Sequence, residues 1–97
     1  MTFIQVIDYH TSHEDEMRAL GDEWERASGD RQSTNRVIVV RDRDDQTHYQ
    51  NIVFFDSYES AMENSNLPET TEFAKRMMEL VDGQTIFLNL DVIEDRG

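Results

Sequence analysis

The hydrophobic residues change their spacing along this chain, and the order of those changes leaves few folds open. From Thr2 to His10, Phe3, Ile4, Val6, Ile7 and Tyr9 are β-branched or aromatic, with Gln5 and Asp8 between them. That pattern predicts a strand with apolar residues on both faces, and so a central one. Thr11 to Ala27 switches to spacings of three and four at Met17, Leu20, Trp24 and Ala27, one stripe of a helix. Thr11 with Glu14 has capping-box spacing, as does Ser12 with Asp15 in a weaker form. Glu14, Asp15 and Glu16 suit the positive end of the helix dipole. Ser28, Gly29 and Asp30 stop the helix.

Arg36 to Arg41 then reads as a short strand around the run Val37 to Val40. A polar turn, Asp42 to Gln46, leads to a further strand from Thr47 to Phe55, and the two make an antiparallel hairpin. Asp56 or Ser57 opens a short helix from Tyr58 to Asn64, broken by Asn64, Ser65 and Asn66. Pro68 fits the first turn of another helix. Phe73, Ala74, Met77, Met78, Leu80 and Val81 give that helix its stripe, and Asp82 with Gly83 ends it. Gln84 to Glu94 is the last strand, with Ile86, Leu88, Leu90 and Val92 on one face and Phe87 and Ile93 on the other.

The predicted order is strand, helix, strand, strand, broken helix, strand, with no linker or composition shift to divide residues 1–97 into more than one domain. It matches the ferredoxin-like βαββαβ plan of the α+β class, a four-stranded antiparallel sheet with helices on one face. A sheet with apolar residues on both sides must cover both. A second copy packed sheet to sheet with two-fold symmetry does so, which predicts a homodimer.

Charge narrows the partners. Asp and Glu number 21 against nine Lys and Arg, for a net charge of −12. Every phosphate contact would work against that field, so neither a nucleic acid nor an anionic membrane is expected as partner. Of the nine basic residues only Lys75 is a lysine, a bias that a high-salt cytoplasm favours and that GC-rich codon usage also produces. The acidic excess itself reads as a solvated, solubilising surface. No apolar run reaches the ~18–20 residues of a transmembrane helix, and no charged-then-apolar leader opens the chain. A cytoplasmic location is expected. The chain has no cysteine, which removes disulfide scaffolds and thiol chemistry.

The plan, the length and the stretch Phe55-Asp56-Ser57-Tyr58-Glu59-Ser60-Ala61-Met62-Glu63-Asn64 resemble the dimeric α+β barrel superfamily. The nearest branch is the antibiotic-biosynthesis monooxygenase-like domain, which includes haem-degrading and quinol-forming enzymes. In that family the hairpin's second strand commonly ends in Trp, and a His follows about nine positions later. Here Phe55 stands at the Trp position and Asn64 at the His position. The haem-degrading branch resembles an Asn–Trp–His constellation, which by position falls on Gln5, Phe55 and Asn64. All three differ. Asn64 has no imidazole to ligate iron and Phe55 no indole N–H, so haem chemistry of that kind is not expected. The quinol-oxidising branch implies a site with no cofactor, in which Asn, Trp, Tyr and Arg side chains steady an aromatic anion.

Several residues bear on such a site. Tyr49 and Asn51 are placed as catalytic candidates that hydrogen-bond the substrate oxygen. Trp24, Phe55, Phe73 and Met77 are placed as walls around its rings, with Gln5 and Asn64 as further binding positions. Arg36, Arg41 and Arg76 are the local cations. Two readings stay open for Gln5 and Asn89: they satisfy one another, or they point into a cavity. Trp24 and the methionines are core filler or pocket lining. Tyr9 donates to a substrate or sits at the sheet rim. His10 and His13 read as a solvated loop pair rather than a metal site. No nucleophile–base set and no phosphate-cradling glycine loop is present.

The expectation is a homodimeric barrel with no metal or cofactor, oxidising a quinol-type or polycyclic aromatic small molecule. The alternative is a non-catalytic barrel that binds a small apolar ligand or acts as a stress-associated interaction module.

Overall fold

The structure is a computed structural model that describes residues 2–31 and 33–97. Its elements are β1 (Phe3–His10), α1 (Glu14–Ser28), a 3-10 turn (Gly29–Arg31), β2 (Arg36–Arg41), β3 (His48–Phe55), α2 (Tyr58–Ser65), α3 (Pro68–Leu80) and β4 (Ile86–Asp91). All four strands are antiparallel, in the order β2-β3-β1-β4, the ferredoxin-like arrangement. The twice-apolar β1 lies inside the sheet, as its pattern requires.

The helix ends follow local chemistry, with one correction. Neither predicted capping box forms at α1. His13 is the N-cap and makes no side-chain cap, because the Thr11 hydroxyl accepts from the His13 N–H at 3.0 Å and donates to the Leu80 carbonyl at 2.6 Å. Thr11 therefore ties the end of β1 to the end of α3 instead of starting α1. Gly29 ends α1 at φ +52°, where a side chain would be strained, and returns its N–H to the Glu25 carbonyl. Ser57 caps α2 by accepting the Ser60 N–H at 3.1 Å. Pro68 sits in the first turn of α3, where its missing N–H costs nothing.

The core lies on the helix-covered face in two clusters. Ile7, Tyr9, Met17, Leu20, Tyr49 and Met77 pack together beneath α1 and α3, with Phe73, Leu80 and Val81 at their margin. Phe3, Val53, Phe55 and Ala61 form the second, with Met62 beside them. The helical stripes are narrower than their spacing suggested: Ala27, Ala74 and Met78 are exposed. Ala27 lies on α1, whereas Ala74 and Met78 lie on α3 beside space that the helices leave open over the sheet. β4 is shorter than the predicted Gln84–Glu94, and all its residues are exposed in the single chain.

The opposite face carries no helix. Alternation places Ile4, Val6, Ile38, Ile52, Phe54, Leu88 and Leu90 on it. Leu88 and Leu90 are each 43% exposed there.

Candidate functional site

The register of β1 against β3 builds the site floor. Gln5 lies opposite Val53, Ile7 opposite Asn51, and Tyr9 opposite Tyr49. Directly opposed residues share a face, so all six point toward the helices. On β2, Val37 and Val39 lie opposite Val53 and Asn51 and face the same way. They remain 46% and 60% exposed, because the helices leave this side of the sheet uncovered. The uncovered strip is a cleft of about 1060 Å³ between α1, α3 and the sheet. That volume is just above the ~300–1,000 Å³ range usual for small-molecule pockets.

All eight residues singled out in the sequence line this cleft: Gln5, Trp24, Tyr49, Asn51, Phe55, Asn64, Phe73 and Met77. They reach it from five elements, β1, α1, β3, α2 and α3. Trp24 comes from α1 and is held by α3, its indole N–H donating to Thr70 Oγ1 at 3.0 Å and its ring 6.3 Å from that of Phe73. The indole is thus pinned at one edge while it lines the cleft. Asn64 ends α2 and is buried, its Oδ1 accepting the Ser33 N–H at 3.3 Å. Gln5 donates to Asn89 Oδ1 at 3.2 Å, so these amides satisfy one another while Gln5 still lines the cleft.

Tyr9 takes neither of its two expected places, the sheet rim or a substrate oxygen. It is 1% exposed, stacks on Tyr49 at 5.9 Å and 13°, and donates its hydroxyl proton to Asn51 Oδ1 at 2.8 Å. Burial, reinforced by Tyr49 and Glu14, pushes its pKa up to about 12. Its proton is therefore fixed at any ordinary pH. The contact joins Tyr9 to the residue two beyond its direct partner, a diagonal that strand register allows for long side chains. Of the three cations named beforehand, Arg36 and Arg41 line the cleft, while Arg76 is paired with Glu23 at 2.8 Å. Glu14 binds Arg18 at 2.8 Å and faces Arg41 at 3.8 Å at one mouth of the cleft.

A second polar group stands on the open face of the sheet. His48 Nδ1 is 3.0 Å from Asp42 Oδ2, and its Nε2 is 2.9 Å from Asp8 Oδ2. Carboxylates only accept, so both ring nitrogens must carry a proton and His48 is held as a cation. The hydrogen bonds to Asp42 and then Asp8 raise its pKa. Asp8 is lowered, first by the Gln50 amide at 2.7 Å and then by His48. Asp42 is lowered chiefly by His48, with help from the Asp44 N–H. His10 stacks on His48 at 4.6 Å and reaches Asp45 at 3.5 Å, while His13 turns to Glu16. The His10 and His13 side chains diverge. Among the described residues no three His, Cys, Asp or Glu side chains converge as a metal site, and no helix is long and apolar enough to cross a membrane.

No family model matches the chain, and no curated protein matches it in sequence. Solved structures do match it in fold. SnoaB, a cofactor-independent oxygenase from Streptomyces nogalater, superposes with a TM-score of 0.81 at 13% identity over 97% of this chain and 95% of that one. Rv0793 from Mycobacterium tuberculosis gives 0.80 at 11% over the whole of both chains. A structure of an antibiotic biosynthesis monooxygenase gives 0.75 at 12% over 97% of this chain and all of that one. The chain thus has the ferredoxin-like α+β fold of antibiotic-biosynthesis-monooxygenase-like proteins.

Proposed function

We propose that this chain is a cofactor-independent monooxygenase-like domain that oxidises a quinol-type or polycyclic aromatic molecule in the cleft. The observation that carries the proposal is convergence: Tyr49 and Asn51 on β3 line one cavity with Gln5, Trp24 and Phe73, each more than 20 residues away in sequence. Flat apolar walls with a few neutral hydrogen-bonding groups suit a planar ring system bearing an oxygen.

The chemistry needs little from the protein beyond placement. An anthrone-type substrate loses a proton to give an enolate, which donates electrons directly to O2. One oxygen atom enters the ring as a carbonyl, and the other leaves as water with the two hydrogens of the oxidised methylene. Asn51 and Tyr49 stabilise the enolate oxygen, and Trp24, Phe55, Phe73 and Met77 orient the rings and exclude water. The apolar open face would be covered by a second copy, sheet against sheet, which makes the working unit a homodimer.

Oxygen uptake with a panel of anthrones and quinols tests the proposal. Uptake is expected to fall about 10²-fold in Asn51→Ala and about tenfold in Tyr49→Phe, in line with loss of oxyanion donors. Ligand binding without uptake would sink the catalytic reading and leave a non-catalytic binding barrel.

A further inference from the structure

Resting on that reading of the cleft, we infer that Tyr9 is a positioning residue: it locks the Asn51 amide with its NH2 toward the cleft. The site then selects ligands that present an acceptor oxygen, a ketone or phenolate, over ligands that present a donor or nothing.

The argument is one of hydrogen-bond bookkeeping. An amide side chain offers an acceptor at one end and two donors at the other. Tyr9 is 1% exposed, and among the described residues the only hydrogen bond of its hydroxyl is the one at 2.8 Å to Asn51 Oδ1. If the amide were turned over, Nδ2 would donate to the phenol oxygen, and the phenol proton would be enclosed with no acceptor. A buried donor left unmade is the costly state. The direction of the bond is thus decided by Tyr9, whose ring is itself held flat against Tyr49. With Oδ1 occupied, the Asn51 group left for the cleft is the NH2. Asn51 lines the cleft, and among the described residues its NH2 is not enclosed without a partner.

The role differs from that of a merely structural core tyrosine in what it changes. Losing packing would weaken every ligand alike. Losing the lock would erase a preference between ligands of one shape. Anthrone and 9,10-dihydroanthracene provide that pair, since a CH2 replaces the C=O and little else alters. Trp24 is the only tryptophan in the chain and lines the cleft, so its fluorescence reports binding of both, measured without oxygen.

The wild-type protein is expected to bind the ketone about five- to tenfold more tightly than the hydrocarbon, the worth of one net hydrogen bond. Tyr9→Phe is expected to bring that ratio to about two or below while hydrocarbon affinity holds. Asn51→Asp, which keeps the bond from Tyr9 but turns an acceptor to the cleft, is expected to disfavour the ketone. Equal wild-type affinities, or an unchanged ratio in Tyr9→Phe, would overturn the inference and leave the cleft reading intact. Binding of neither probe would overturn the cleft reading. The lock is then decided in the ligand-free wild-type protein, and this arm also serves if Tyr9→Phe fails to fold. Side-chain NH2 protons of Asn51 that exchange with water as fast as a free amide support the lock. Exchange slowed about tenfold or more, as for an NH2 bonded to the phenol, would refute it.

Discussion

The two faces of the sheet solve opposite problems with the same four strands. The helix side buries Phe3, Ile7, Tyr9, Val53 and Phe55, yet leaves a strip over β2 and β3 uncovered as a cleft. Its neutral side chains bond to one another, as in Tyr9–Asn51 and Gln5–Asn89, beside the charged Glu14, Arg18, Arg36 and Arg41 that also line the cleft. The open side has no cover and divides lengthwise. Ile4, Ile52, Phe54, Leu88 and Leu90 occupy one end, and the Asp8–His48–Asp42 cluster occupies the other. The difference teaches where charge is tolerated. Neutral amides and phenols can be enclosed once paired, whereas an imidazolium between two carboxylates stays near water, where its desolvation is cheap.

The largest effects should come from exchanging the roles of the faces. Phe55→Ala on the helix side, at 1% exposure, is expected to cost about 3–5 kcal/mol of unfolding free energy by urea titration, at every protein concentration. Leu88→Ala on the open side, at 43% exposure, should cost under about 1 kcal/mol in an isolated chain. A Leu88 penalty that grows with protein concentration would mean a second copy covers the face. Leu88→Arg should then shift the sedimentation profile from dimer to monomer. A profile that stays monomeric in both proteins would remove the homodimer.

A smaller effect is tied to pH and belongs to the open face alone. His48 is raised above its ordinary 6.5, so its contribution is complete below that value and lost as pH rises through the higher folded pKa. Asp8 and Asp42 are lowered below 3.8, so theirs is complete above that value and lost as pH falls through the lower folded pKa values. Stability is therefore expected to peak between about pH 4 and about pH 6.5, and to decline on the alkaline side. His48→Gln should flatten the decline in urea midpoints that sets in above about pH 6.5. A decline of the same size in that variant would assign it elsewhere. The smallest effect sharpens the helix side: Ser57→Ala removes the α2 cap and should cost about 1 kcal/mol by the same titration.

Much of this was legible in the residues. Strand and helix periods differ by nearly a factor of two, so the element order could be read from spacing alone. β2 spans Arg36–Arg41 as predicted, and Pro68 and Ser57 sit at the helix starts where their chemistry suits them. Eight of the cleft residues are also legible in the sequence, through helical spacing, polar side chains on apolar strands and a family resemblance. The misses are of one kind. Thr11 looked like a helix cap, but a carbonyl at the far end of α3 claimed its hydroxyl. Ala27 and Met78 looked buried, but both are exposed, Met78 because it borders the open cleft. Thr70, which holds Trp24, carries no signal in its own neighbourhood.

The sequence by itself determined which segments are strands and helices, that β1 lies inside the sheet, and that both sheet faces are apolar. Those are local or periodic properties, set by sterics and side-chain spacing within a few residues. Only the tertiary structure decided that Tyr9 meets Asn51 across a strand diagonal and that the helices stop short of β2. Only it brought His48 between two carboxylates from different segments. Each of these depends on register and helix placement, which are fixed by contacts among residues tens of positions apart, and no local pattern encodes them.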